Sequence, residues 1–177
     1  MKKTLNTLFL IFCLFVAKQS FANHKIAILD TDKIIQEVVA VIDIQKKIEK
    51  KKIAYEAEIN KKQTALMAEQ KKLQDKKNIA SQETLEKESK AFEEKVDNLK
   101  NFVDKKQNSL KNASLDAMGK VNDAMKAVVA DLSKEKQIDA IFPSSQVIYF
   151  QEHLDITSEV LVLLNKKITK VEIKFEN

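Results

Sequence analysis

From Ile42 to Lys136 the chain contains no proline and a single glycine, Gly119. Lys, Glu, Gln, Ala and Leu fill most of this stretch. These side chains keep much of their rotamer freedom in a helix, so nothing in it breaks the backbone hydrogen-bond ladder. Stepping alternately by three and four residues from Val38 reaches Val41, Ile48, Tyr55, Ile59, Leu66 and Leu73, with Gln45, Lys52, Lys62 and Glu69 as polar exceptions. The same stepping from Leu85 reaches Phe92, Val96, Leu99, Val103, Leu110, Ala113 and Ala117, interrupted by Ser89 and Lys106. Two heptad seams therefore flank Asn78-Ile79-Ala80-Ser81, which reads as a turn. The spacing predicts an antiparallel helical hairpin over 42–136 with its tip near 76–82, projecting roughly 50 Å at 1.5 Å rise per residue. Seams this narrow bury little, so the arm is expected to flex. Gly119 is a candidate hinge, the alternative being a small residue tolerated at a packed face.

The flanks read differently. Lys2 and Lys3 precede an apolar run from Leu8 to Ala17, and Ser20 and Ala22 supply small residues two apart. That is the pattern of a secretory signal peptide over 1–22, cleaved between Ala22 and Asn23, because the apolar run is too short for the roughly 20 residues a spanning helix needs. Its loss removes Cys13, the only cysteine, and leaves a mature net charge of +2 from the full-length +5. His24 to Leu29 reads as a short strand with Ile26 and Ile28 on one face. Asp30-Thr31-Asp32 follows as an N-cap cluster for a short helix to about Val39. After the arm, Ile138 to Phe142 and Gln146 to Phe150 are β-prone runs joined by Pro143-Ser144-Ser145, which predicts a β-hairpin. Asp155 or Thr157 can cap a last helix through Val160, Leu161 and Leu164. From Lys170 onward Val171, Ile173 and Phe175 alternate with charge, which leaves an added edge strand and a disordered tail as open alternatives. The expected class is α+β, predominantly α. Residues 23–41 and 137–177 form a small body, and 42–136 form the arm.

Several chemistries are excluded. One glycine rules out a dinucleotide fingerprint, a P-loop and a nucleophile elbow, each of which needs two or more. Two histidines and a cysteine in the leader cannot complete a Cys/His zinc site. His24 and His153 are expected at the surface. Most carboxylates fall on solvated helix faces where no pocket shifts their pKa. No enzyme activity, metal or cofactor is expected.

Charge is unevenly spread. Residues 46–77 carry +6, residues 83–136 are neutral, and the remainder of the mature chain carries −4. Basic residues along the ascending helix, Lys51, Lys52, Lys61, Lys62, Lys71, Lys72, Lys76 and Lys77, are candidates for attracting an acidic polymer or an anionic lipid surface; a solvated helix face is the plainer alternative. All 31 basic residues are lysine. Without arginine there are no bidentate guanidinium contacts to phosphate or guanine, which argues against sequence-specific nucleic-acid binding.

In their order, these parts resemble the Skp/OmpH family of periplasmic chaperones. The resemblance rests on Lys25-Ile26-Ala27-Ile28 with Asp30, on Ile138-Asp139, Val147 and Tyr149, and on Asp155-Ile156-Thr157 leading into Val160-Leu161. It implies a homotrimer whose body core includes Ile26, Ile28, Ile138, Ile141, Val147 and Tyr149, with three helical-hairpin arms around a cavity. It also implies an ATP-independent periplasmic holdase for unfolded outer-membrane proteins. Lipopolysaccharide or anionic lipid is a further candidate partner. A periplasmic coiled-coil adaptor and a basic nucleic-acid-binding protein are the rival readings.

Overall fold

The computed structural model describes residues 24–77 and 79–176; the expected leader over 1–22, the cleavage pair Ala22 and Asn23, and Asn78 of the turn lie outside the described residues. Strand β1 (Ile26–Leu29) leads into helix α1 (Thr31–Glu37). Asp30 caps α1: its carboxylate accepts the Lys33 N–H at 2.9 Å and its carbonyl accepts the Ile34 N–H at 3.1 Å. Val38, buried and extended at φ −68° and ψ 127°, breaks the helix for one residue, and α2 (Val39–Lys76) begins at once.

Valine has no side-chain acceptor, so α2 takes its cap from elsewhere. Asn165, on the last helix, accepts the Val39 N–H through Oδ1 at 2.9 Å. A side chain distant in sequence thus fixes where the long helix leaves the body. Replacing Asn165 by Ala should lower stability by about 1 kcal/mol, while Asn165→Asp, which retains the acceptor, should lose much less; urea titration of both variants checks this.

Helix α2 is 38 residues long and its partner α3 (Gln82–Lys136) is 55, about 57 Å and 82 Å respectively at 1.5 Å per residue. Ser81 caps α3 by accepting the Thr84 N–H at 3.3 Å. At the other end Gln137 adopts the left-handed conformation at φ 57°, and the Ile138 N–H reaches back to the Ser133 carbonyl at 2.9 Å. This Schellman-type stop turns the chain from the arm into strand β2 (Ala140–Pro143).

Here the structure corrects the expected β-hairpin. β2 does not pair with 146–150; it pairs in parallel with β1, from Ile26 opposite Ala140 to Leu29 opposite Pro143. The whole helical hairpin is therefore the crossover of a single parallel strand pair. Ser144–Gln146 form a 3-10 turn, and Val147 to Phe150 belong to no strand. The other edge of β1 is also occupied. Ile28 bridges Asp155 in parallel, and the Ile156 N–H donates to the Ile28 carbonyl at 3.0 Å. With β1 central, Ala27, Ile28 and Leu29 are all buried and the expected in-out alternation is absent.

Helix α4 (Thr157–Lys167) closes the body. Asp155 accepts the Thr157 N–H at 2.8 Å, so it caps α4 from one position before the formal cap, Ile156. Thr157 is buried, and its hydroxyl accepts the Asp30 N–H at 2.8 Å, which ties the start of α4 to the start of α1. Val160 and Leu164 of α4 then pack with Ile34, Val41 and Ile44 and with Val121, Val128 and Leu132 of α3. The core thus sits where the arm enters the body, and the arm's outer half adds no member to it.

Gly119 lies within α3 with its backbone at an ordinary negative φ, and a Cβ built there meets nothing within 4 Å. Space at this face is open, so close packing does not account for the glycine. Gly119→Ala should therefore raise stability by about 1 kcal/mol, read as a higher urea midpoint at unchanged slope.

Candidate interaction surfaces

The two arm helices meet in a strict heptad register. Tyr55 faces Ser109, Lys62 lies over Phe102, Glu69 pairs with Lys95 and Lys76 pairs with Glu88, so each seven-residue step up α2 matches a seven-residue step down α3. Chemistry changes along that line. Near the body the contacts are a buried tyrosine and serine; towards the tip they are half-exposed ion pairs, worth about 0–1 kcal/mol each. The structure also shifts the phase of the expected seam. Ile44 rather than Gln45 is buried, as is Ser109 beside the expected Leu110, and the buried line continues past Ala117 to Val121, Val128 and Leu132.

The eight lysines singled out from the sequence divide into two groups. Lys51 stacks over the Tyr55 and Phe175 rings at 4.8 and 5.5 Å, and Lys62 over Phe102 at 4.8 Å. Lys106, on α3, sits between Tyr55 at 4.6 Å and Phe102 at 5.1 Å. Phe175, Lys51, Tyr55, Lys106, Phe102 and Lys62 thus form one alternating ladder of rings and cations, which explains how lysines occupy two seam positions. Lys52 lies between Glu49 and Glu56 at 3.7 and 3.9 Å, and Lys76 is held by Glu88 at 2.6 Å. Lys61, Lys71, Lys72 and Lys77 are exposed and make no ion pair among the described residues.

Apolar side chains also stand free along the arm. Ile53, Met67, Val96 and Leu115 are exposed, and Ile79 at the tip is 83% exposed. The body has a second such surface. Ile148 and Tyr149 are 107% and 80% exposed, and Phe142 and Ile26 of the sheet are also exposed. Of the residues expected in the body core, Ile28 is buried within the chain, Ile138, Ile141 and Val147 are half-buried, and Ile26 and Tyr149 face outward.

His24 and His153 line one open cleft of about 570 Å³ at the foot of the arm, together with Glu135 and Lys136. His24 lies 3.5 Å from the Asp139 carboxylate, itself fixed by the Lys25 N–H at 2.9 Å. Among the described residues no three metal-ligating side chains cluster, and no helix is long and apolar enough to cross a membrane.

The C-terminal segment is neither an edge strand nor detached. Residues 168–176 run up the foot of the arm, with Val171 buried, Ile173 and Phe175 half-buried, and Lys170, Glu172, Lys174 and Glu176 outward. Sequence reasoning saw the alternation but had no signal for the helical surface that receives it.

A helical hairpin inserted into the crossover of a small parallel body, carrying free lysines and apolar side chains on a long arm, defines a class of body-and-arm binding proteins. The chain belongs to the OmpH-like family: the family model, described as outer membrane protein (OmpH-like), matches residues 25–164. Its fold is similar to that of a provisionally assigned outer membrane chaperone (OmpH-like) from Caulobacter crescentus CB15, with a TM-score of 0.79 and 17% identity over 87% of this chain and 91% of that one. No curated protein matches by sequence.

Proposed function

We propose that the protein is an ATP-independent periplasmic holdase, which binds unfolded outer-membrane proteins and keeps them soluble until they are inserted. In this reading three copies associate through their bodies, and the arms form a basket that holds the client. The observation that carries it is the surface of the arm, where unpaired Lys61, Lys71, Lys72 and Lys77 are interspersed with exposed Ile53, Met67 and Ile79. Weak contacts of both kinds at many points retain an unfolded chain without selecting one conformation. Seams that end in exposed ion pairs leave the outer arm free to adapt to clients of different size. The edge of β2 that no described strand covers and the exposed Ile148 and Tyr149 that follow it in sequence offer the body surface for self-association.

The test combines two measurements on the mature protein: its mass in solution, and its effect on the turbidity of an outer-membrane protein diluted from urea. A threefold mass with suppressed turbidity is expected. A monomer that leaves aggregation unchanged refutes the proposal. Protection should weaken as salt rises through the range that screens exposed lysines.

A further inference from the structure

We infer that the groove between α2 and α3 at the foot of the arm is a binding site for an extended polypeptide with alternating apolar side chains, and that the C-terminal tail occupies it in cis. Three groups of the groove hold the tail. Lys47 Nζ donates to the Val171 carbonyl at 3.3 Å, Lys120 Nζ to the Glu172 carbonyl at 3.3 Å, and Ser109 Oγ to the Glu176 carbonyl at 2.8 Å. Every one of these acceptors is a main-chain oxygen, which any polypeptide provides. The outward side chains Lys170, Glu172, Lys174 and Glu176 make no ion pair or hydrogen bond among the described residues.

What the groove reads besides backbone is therefore the inward row of Val171, Ile173 and Phe175. Phe175 lies under Lys51, and Ile173 and Phe175 border an open cavity of about 550 Å³ with Lys50, Lys51 and Ala54. The tail is also extended. Lys120 and Ser109 are about 16 Å apart along α3, a span that Glu172 to Glu176 can approach only near full extension, about 13 Å, with the lysine side chain covering the rest. An extended backbone with alternate apolar residues is the signature of a transmembrane β-strand before it enters its barrel. The occupant in trans is such a strand; this identity rests on the holdase reading, whereas the groove and its tail do not. Family-model agreement stops at Leu164, so the segment that fills the groove lies beyond the matched residues.

A tail tethered at Lys167 competes at high effective concentration, so a client strand must displace it and its apparent affinity falls by the fraction of time the groove is open. The test uses the full chain and its Ile173→Asp/Phe175→Asp variant, which removes the inward side chains while leaving Val171 in the core. The probe is a fluorescent peptide with the sequence of residues 168–177. Anisotropy should show at least tenfold tighter binding to the variant than to the unsubstituted protein. A second peptide of unrelated alternating sequence should bind similarly, and one with the same residues but its apolar side chains grouped should not. Equal binding to both proteins, or equal binding of the grouped peptide, overturns the inference. A truncation ending at Lys167, with helical content verified by circular dichroism, serves as the second host if the double variant unfolds. Displacement of the bound peptide by a urea-unfolded outer-membrane protein separates the two readings. Turbidity protection without displacement overturns the groove's role for clients and leaves the holdase standing; peptide binding without turbidity protection supports the groove and removes the holdase.

Discussion

If three copies associate as proposed, substituting Ile148 and Tyr149 together by aspartate should leave monomers that no longer protect unfolded outer-membrane proteins, with helical content unchanged. Both side chains are fully or nearly fully exposed in the single chain, adjacent in sequence and five and six residues beyond the end of β2. Covering an isoleucine and a tyrosine is worth about 2 kcal/mol each, so a three-copy contact gains several times that from this pair alone. Aspartates at the same places would bring like charges together around the assembly axis, and the association constant should fall by more than about a thousandfold. Neither residue helps to fill the chain's own core, so the monomer should retain its fold. Sedimentation equilibrium measures the mass and circular dichroism the helix. Ile79→Asp at the tip is the control, since it removes an apolar group equally exposed but far from the body, and it should leave the mass as it was. An unchanged mass for the double variant would place self-association elsewhere.

The second large effect concerns stability within one chain. Leu164→Ala should cost about 3 kcal/mol, whereas Leu73→Ala should cost less than about 1 kcal/mol. Leu164 is completely buried among α1, α3 and the foot of α2, so the truncation removes packing on every side. Leu73 is only half-buried, near the tip, where the helices are joined by side chains such as Lys76 and Glu88 that water already reaches. Urea unfolding of the two variants measures the contrast. Hydrogen exchange should show it as well: amides of the outer arm should open at free energies well below the global value, and those of α4 close to it.

The long helices were legible because their signals are local. Absent prolines, one glycine and a seven-residue repeat suffice to mark α2 and α3, with the turn at 78–81 between them; that Ser81 caps the second is seen only in the structure. Asp30 and Asp155 were legible as caps for the same reason. The parallel pairing of β2 with β1 was not, because Pro143-Ser144-Ser145 is a sound local turn signal and the true partner strand lies on the far side of the arm. The phase shift at Ser109 runs the length of α3: its contacts with α2 fall at Glu88, Lys95, Phe102 and Ser109, each one residue before the expected Ser89, Val96, Val103 and Leu110, because the apolar Val96, Val103 and Leu110 draw a hydrophobic count one position along the helix from the polar and aromatic residues that make the contacts. Lys62 and Lys106 counted as polar exceptions because a sequence repeat does not register a cation over a ring. Asn165 was invisible as the cap of α2 because it acts across 126 residues.

The insertion of the arm into a strand crossover also predicts an order of events when the chain folds. β1 and β2 cannot exchange a hydrogen bond until residues 114 apart in sequence meet, as at Lys25 and Asp139. Closing a loop of that length in a disordered chain is slow and entropically costly. The hairpin removes the difficulty, because zippering from the turn at its tip brings Val39 and Lys136 toward each other before any strand has formed. The weakest part of the native molecule is thus expected to acquire structure first, so changes near the tip should slow folding and changes in the body should mainly hasten unfolding, as refolding and unfolding rates of the Leu73→Ala and Leu164→Ala variants would show.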